Sequence, residues 1–182
     1  MTKCARTFLL TGVAVAMLII GVQTASADNA VAVVVGSRQG VIQGDGTSKE
    51  AQGAIIIQAV QHGITVPFDA ASGLPTGKRR HSPLYIVKRP DKSSPKLLMA
   101  LALNENLTSV EIKFFRTVTT GAVVHYHTFK LINARVTELS TAGATDATGG
   151  VIENVGFVYE KIEVTDHINK IVVVDDWASP GV

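Results

Sequence analysis

The sequence predicts a mainly β protein, a compact β-barrel or two-sheet barrel carrying one short flanking α-helix. Three observations lead there. Residues of high β propensity recur in blocks that alternate apolar and polar where a strand is half-buried, as Val110, Ile112 and Phe114 do against Glu111, Lys113 and Phe115. Glycine-rich and polar stretches such as GDGTSKEAQG at 44–53 and STAGATDATGG at 140–150 separate those blocks. Only 96–103 shows helical spacing, with Leu97, Leu98, Leu101 and Ala102 on one face.

Taken in order, Ala30 to Val35 is a continuous β-branched run, and Val41-Ile42 resumes it after Gly36 and Gly40. A polar loop follows from Gly44 to Gly53, then a strand from Ala54 to Val60 with a short extension over Gly63 to Val66. Pro75, Gly77 and Pro83 punctuate a loop in which Lys78, Arg79, Arg80 and His81 stand together, so this loop sits in water. A strand begins at Leu84 and ends at Pro90. Ser94 before Pro95 reads as a hydroxyl N-cap beside a proline at the first helical position, where its missing N–H costs nothing. The helix is too short to persist alone and must be held by packing. Thr108 to Val118 is a half-buried strand, Thr119-Thr120-Gly121 a turn, and Ala122 to Leu139 a long strand. After the 140–150 linker, Val151 to Thr165 and Ile168 to Val174 complete the strands, with a loose tail from about residue 175.

The first residues read as an export signal. Lys3 and Arg6 give a basic start, Phe8 to Val22 an apolar run shorter than a membrane span, and Ala25-Ser26-Ala27 a small-residue cleavage site before Asp28. Residues 1–27 are therefore expected to be removed and 28–182 to form one domain, secreted or periplasmic, with no stable membrane insertion. The single cysteine, Cys4, leaves with the leader, which excludes disulfides and thiolate chemistry. The chain has 17 basic and 15 acidic residues; loss of Lys3 and Arg6 balances them, a poor composition for binding nucleic acid. Charge is nonetheless uneven, with basic residues between Lys78 and Lys96 and acidic ones from Glu153 to Asp176. Such a division fits either solvated faces or a head-to-tail contact between copies.

Candidate chemistry is thin. His125 and His127 form an H-x-H pair whose rings, on a regular strand, share one face and could hold a metal; no third ligand is indicated, and hydrogen-bonded histidines fit the surrounding apolar residues better. Gly44-Asp45-Gly46-Thr47 lacks the calcium-loop pattern, and the glycines at 36, 40 and 44 lack the Lys-Ser/Thr of a phosphate loop. No serine sits in a nucleophile elbow, and no cofactor, metal or catalytic residue is assigned.

The segment GLPTGKRRHSPLYIVKRPDKSSPKLL at 73–98, with GVIQGDGT at 40–47, VEIKFFR at 110–116, HYHTFKLINARV at 125–136 and FVYEKIEV at 157–164, resembles the haemolysin-coregulated protein (Hcp) family, the tube protein of the bacterial type VI secretion system. The resemblance runs in order along nearly the whole mature chain. It implies a non-enzymatic barrel that assembles as homohexameric rings, stacked into a tube within a contractile sheath beneath a spike protein, with effector proteins carried in the lumen. Subunit and ring contacts are then expected in the first loop, at Asp45, Lys49 and Glu50, and in the basic loop, at Lys78, Arg79, Arg80 and His81. A cleavable leader departs from the family pattern, so an exported soluble binding module that keeps the barrel outside the machine is the alternative, and a zinc enzyme around His125 and His127 a third reading.

Overall fold

The computed structural model describes residues 30–143 and 150–177. The expected cleavage site at Ala25, Ala27 and Asp28, the middle of the linker and the end of the tail lie outside the described residues.

Twelve strands and one helix follow in chain order: β1 (Ala30–Gly36), β2 (Gly40–Ile42), β3 (Ile55–Ile56), β4 (Ala59–Gln61), β5 (Ile64–Thr65), β6 (Arg80–His81), β7 (Leu84–Lys88), α1 (Ser93–Ala102), β8 (Leu107–Thr117), β9 (Val123–Gly143), β10 (Val151–Val158), β11 (Lys161–Asp166) and β12 (Ile171–Asp176). The mainly β class with one short helix holds. Closure does not: the main sheet is an open path, β2-β1-β8-β9-β10-β7-β4, whose end strands pair with no further neighbour among the described residues. Both ends are three-residue strands. Helix α1 packs on β9 and β2 instead, burying Leu97 and Ala100 against the core that Ile42, Leu107 and Ala134 share.

The 21-residue β9 organises the rest. Its first half pairs with β8 and β11, and its second half with β10. This explains why the single strand expected over 151–165 is two: Tyr159-Glu160 breaks the run where the chain leaves one half of β9 for the other. The strand expected over 54–60 is divided for the same reason, because β3 pairs with β1 whereas β4 pairs with β7. Part of the expected linker is also strand, with Gly143 opposite Val151.

The helix begins before the predicted cap. Ser94 lies inside α1, and the capping group is Asp91: its Oδ1 accepts the Ser93 N–H at 2.9 Å, while Ser94 Oγ accepts the Asp91 N–H at 3.0 Å. These reciprocal bonds form a capping box in which serine takes the usual glutamate's place. Pro95 is still in the first turn, where no intrahelical N–H is needed.

Candidate functional site

Among the described residues, two projecting parts of the fold stand out. The C-terminal hairpin makes the first. Among the described residues β12 pairs only with β11, and its Ile171, Val172, Val173 and Val174 are 55%, 55%, 59% and 52% exposed. Side chains alternate across a strand, so among the described residues both faces of β12 are apolar and uncovered, and its outer edge leaves main-chain groups open for pairing. Natural sheets avoid such an edge unless something covers it.

A second projection is the arm from β5 to β6. These strands pair Ile64 with His81 and Thr65 with Arg80, and a bridge joins Phe68 to Pro75 farther out. Asp69 fixes the tip by accepting the Ala71 and Ser72 N–H groups and the Ser72 hydroxyl. Those bonds, led by the Ser72 hydroxyl, hold its carboxyl below the ordinary value. The arm displays Phe68 and Leu74, about two-thirds exposed, beside exposed Lys78 and Arg80.

The predicted contact residues fall in two places. Asp45 sits with Lys92 at 3.1 Å on the surface, and Lys49 and Glu50 are exposed on the same loop. That loop is closely folded: Gly44, Gly46 and Gly53 exchange backbone hydrogen bonds with one another and with Ala54. Any side chain on Gly44 or Gly46 would strike the main chain of Ala54 or Ala51, which accounts for the glycine spacing. Arg79 and His81 turn inward to the end of β12. Arg79 donates Nε–H to Asp175 Oδ2 at 2.6 Å, its Nη2 pairs with Asp175 Oδ1, and His81 Nε2 lies 2.9 Å from Asp175 Oδ2. The hydrogen bond from Arg79 holds the Asp175 carboxyl below the usual carboxylate value. Basic loop and acidic strand thus meet within one chain, a pairing that sequence separation hid.

Three further residues, His62, Tyr159 and Trp177, complete that contact and were not legible. Tyr159, in the break between β10 and β11, places its hydroxyl 2.6 Å from His62 Nε2 and 2.8 Å from His81 Nδ1. Burial raises the Tyr159 phenol well above its ordinary value, and the Asp175 charge adds to this. Trp177 lies beyond, its ring tilted 38° to that of His81 with centroids 5.1 Å apart.

The H-x-H expectation is corrected. A bulge between Phe114 and Phe115 adds one residue to β9, so His127 opposes Phe114 and His125 opposes Phe115. The extra residue reverses the alternation. His125 bonds Thr128 Oγ1 at 2.8 Å and stacks near His167, while His127 packs edge-on against Phe129. Among the described residues no three histidines or carboxylates group to hold a metal ion, and no helix is long and apolar enough to cross a membrane. In the cleft lined by Asp45, Gln58, Arg89 and Asp91, the Asp91 carboxylate is engaged by Lys88, the Ser93 hydroxyl and the helix cap.

Residues 34–165 match the family model described as "Type VI secretion system effector, Hcp". The chain is 34% identical over 161 residues to the "Major exported protein" of Pseudomonas aeruginosa, covering 81% of this chain and 94% of that protein. Among solved structures it is similar to one described as "Crystal structure of Hcp protein" (TM-score 0.76, 30% identity, 83% and 98% of the two chains). It is also similar to Hcp1 of the E. coli EAEC 042 pathovar (TM-score 0.75, 28% identity, 83% and 99%). With a matched segment spanning most of its length and a relative above 30% identity, this chain belongs to the Hcp family of type VI secretion proteins.

Proposed function

We propose that this chain is a structural tube component of a type VI secretion system, assembling as stacked homohexameric rings whose lumen carries effector proteins, in company with sheath and spike proteins. The observation that carries this reading is the bare apolar β12 strand. Four half-exposed β-branched side chains and an open strand edge are a cost to an isolated protomer and a contact for a neighbouring copy. The 64–81 arm, with Phe68 and Leu74 beside Lys78 and Arg80, is the second contact, between subunits or rings, and the 44–53 loop the third. The task is assembly, with no bond-making step.

Charge reversal at Lys78 and Arg80 tests the arm without breaking the Arg79 pair with Asp175. Loss of stacking at low salt supports the assignment; unchanged rings and tubes reject it.

A leader with the basic, apolar and Ala25-Ser26-Ala27 segments favours a second reading, an Hcp-like binding module exported by another route. N-terminal sequencing of the natural protein separates the two: Asp28 as first residue supports export, and an unprocessed start supports assembly in the cytoplasm.

A further inference from the structure

Thr128 stands between two imidazoles that come from different hairpins. His125, near the start of β9, places Nε2 2.8 Å from Thr128 Oγ1, and His167, in the turn between β11 and β12, places Nε2 2.9 Å from the same oxygen. Two ring nitrogens therefore converge on one hydroxyl, with ring centroids 4.0 Å apart and planes tilted by 38°. The backbone sets this up. The bulge opposite Phe114 and Phe115 parts His125 from His127, and the His167 N–H donates to the Tyr126 carbonyl at 3.0 Å, which seats the turn against β9. Phe115 of β8 backs the His125 ring at 5.0 Å between centroids.

Hydrogen bonds satisfy this group in one way: Thr128 donates its single hydroxyl proton to one imidazole and accepts Nε2–H from the other. A divalent ion can replace both of those hydrogens, because it bonds two Nε2 lone pairs and the hydroxyl oxygen together. Its competitor is the proton, and His125 resists it. Burial, then the charges of His167 and Lys113, lower the His125 imidazole below its ordinary 6.5, against a backbone hydrogen bond to His127 and the charge of Glu111. The Lys113 ammonium is itself tied to Glu111 at 3.3 Å. Asp166, next to His167, is occupied in closing the turn, where it accepts the Ile168 and Asn169 N–H groups.

Donor spacing selects among metals. Two donors each bonded at about 2.1 Å stand roughly 3.0 Å apart at a right angle and roughly 3.4 Å apart in a tetrahedron. Separations of 2.8 and 2.9 Å lie nearer the right angle. Cu²⁺ and Ni²⁺ take that arrangement with nitrogen and oxygen donors, and Cu²⁺ binds such donors more strongly.

We propose that His125, His167 and Thr128 form a copper(II) site, in which both Nε2 atoms and the Thr128 hydroxyl oxygen hold one side of the ion and water completes its coordination. Two imidazoles and a hydroxyl make an open, exchangeable site, unlike a closed structural centre of four protein ligands. The ion enters past His167, which is exposed, while Thr128 is buried beneath. Once bound, it ties the β11–β12 turn to β9 beside the His167 bond to Tyr126. Neither the site nor its test rests on ring assembly.

Titration of the full chain with CuCl2 at pH 7.5 in a weakly coordinating buffer, read by calorimetry and by electron paramagnetic resonance, tests the site. One ion per chain coupled to two nitrogens is expected, with a thermal midpoint that rises with free copper because the ion binds the folded chain. Zn²⁺ should bind more weakly. His167→Gln changes an exposed turn residue and should weaken copper binding more than about tenfold, as should His125→Gln, with a smaller loss in Thr128→Val. His127→Gln should bind as the parent does. Copper held equally well by His167→Gln, copper lost in His127→Gln, or coupling to fewer than two nitrogens overturns the site and leaves an adventitious ion only.

Discussion

Lys88 Nζ lies 2.8 Å from Glu153 Oε2, with the lysine side chain wholly buried. The same ammonium reaches Asp91 Oδ1, Ser94 Oγ and the Arg89 carbonyl, each at 2.9 Å. One cation therefore ties the end of β7 to β10 and to the cap of α1.

Replacing Lys88 by Met leaves two carboxylates without their counter-charge, and a loss of about 3–5 kcal/mol is expected. Urea unfolding at pH 7 measures it. Desolvation raises the Asp91 carboxyl, but bonds from Ser93 and Lys88 outweigh it and leave the group below its ordinary value of 3.8. Parent stability from this group is thus present above that value and lost as pH falls through the lowered one. In Lys88→Met the dependence reverses, and mild acid should stabilise the variant; equal acid slopes for the two proteins would count against the network.

Glu105, 2% exposed, closes the β1–β2 turn by accepting the Arg38 and Gln39 N–H groups and Gln39 Nε2–H. Desolvation opposes its ionisation, yet these donors, Gln39 foremost, hold the carboxyl below its ordinary value of 4.5. Glu105→Ala strands the donors and should cost roughly 1–3 kcal/mol, with Glu105→Gln costing less because an acceptor remains. The ordering of the two unfolding midpoints is the check.

Gly44→Ala should cost about 1–3 kcal/mol, since the added methyl meets the Ala54 carbonyl and Ile55 Cα. Gly143→Ala is the internal control: it meets nothing within 4 Å and should be close to neutral. Thermal melts of both variants decide whether the 44–53 loop is as closely folded as its hydrogen bonds indicate.

Local patterns carried the fold a long way, and particular residues show where they stopped. Alternation around Val110 and Ile112 located β8, and β-branched content located β9, because half-burial writes itself into neighbouring positions. Three features depend on partners distant in sequence. The breaks at 57–58 and at Tyr159-Glu160 arise from a change of neighbouring strand, and the separation of His125 from His127 arises from one inserted residue. Asp91 took the cap from Ser94 because Lys88 and Glu153 drew the serine hydroxyl into their network. At the candidate site the basic loop was visible as composition, but its tie to Asp175 spans 96 positions and leaves no periodic trace. The run Ile171 to Val174 reads as any core strand; only the absence of a covering element among the described residues reveals it as surface.

If β12 meets a second copy, Val173→Lys should weaken association and spare the protomer. The side chain is already 59% exposed, so its fold contribution is small, whereas burying a valine against a neighbour contributes about 1.5 kcal/mol or more. Half-assembly should then need roughly tenfold more protein. Unchanged assembly would remove β12 from the interface.

Light scattering coupled to size exclusion, with negative-stain electron microscopy of the peak, measures self-assembly most directly. Toroidal particles with the mass of about six copies, giving way to protomers in Val173→Lys, are expected. Isolated protomers at every concentration, with no rings in the micrographs, would contradict assembly as the work of this chain.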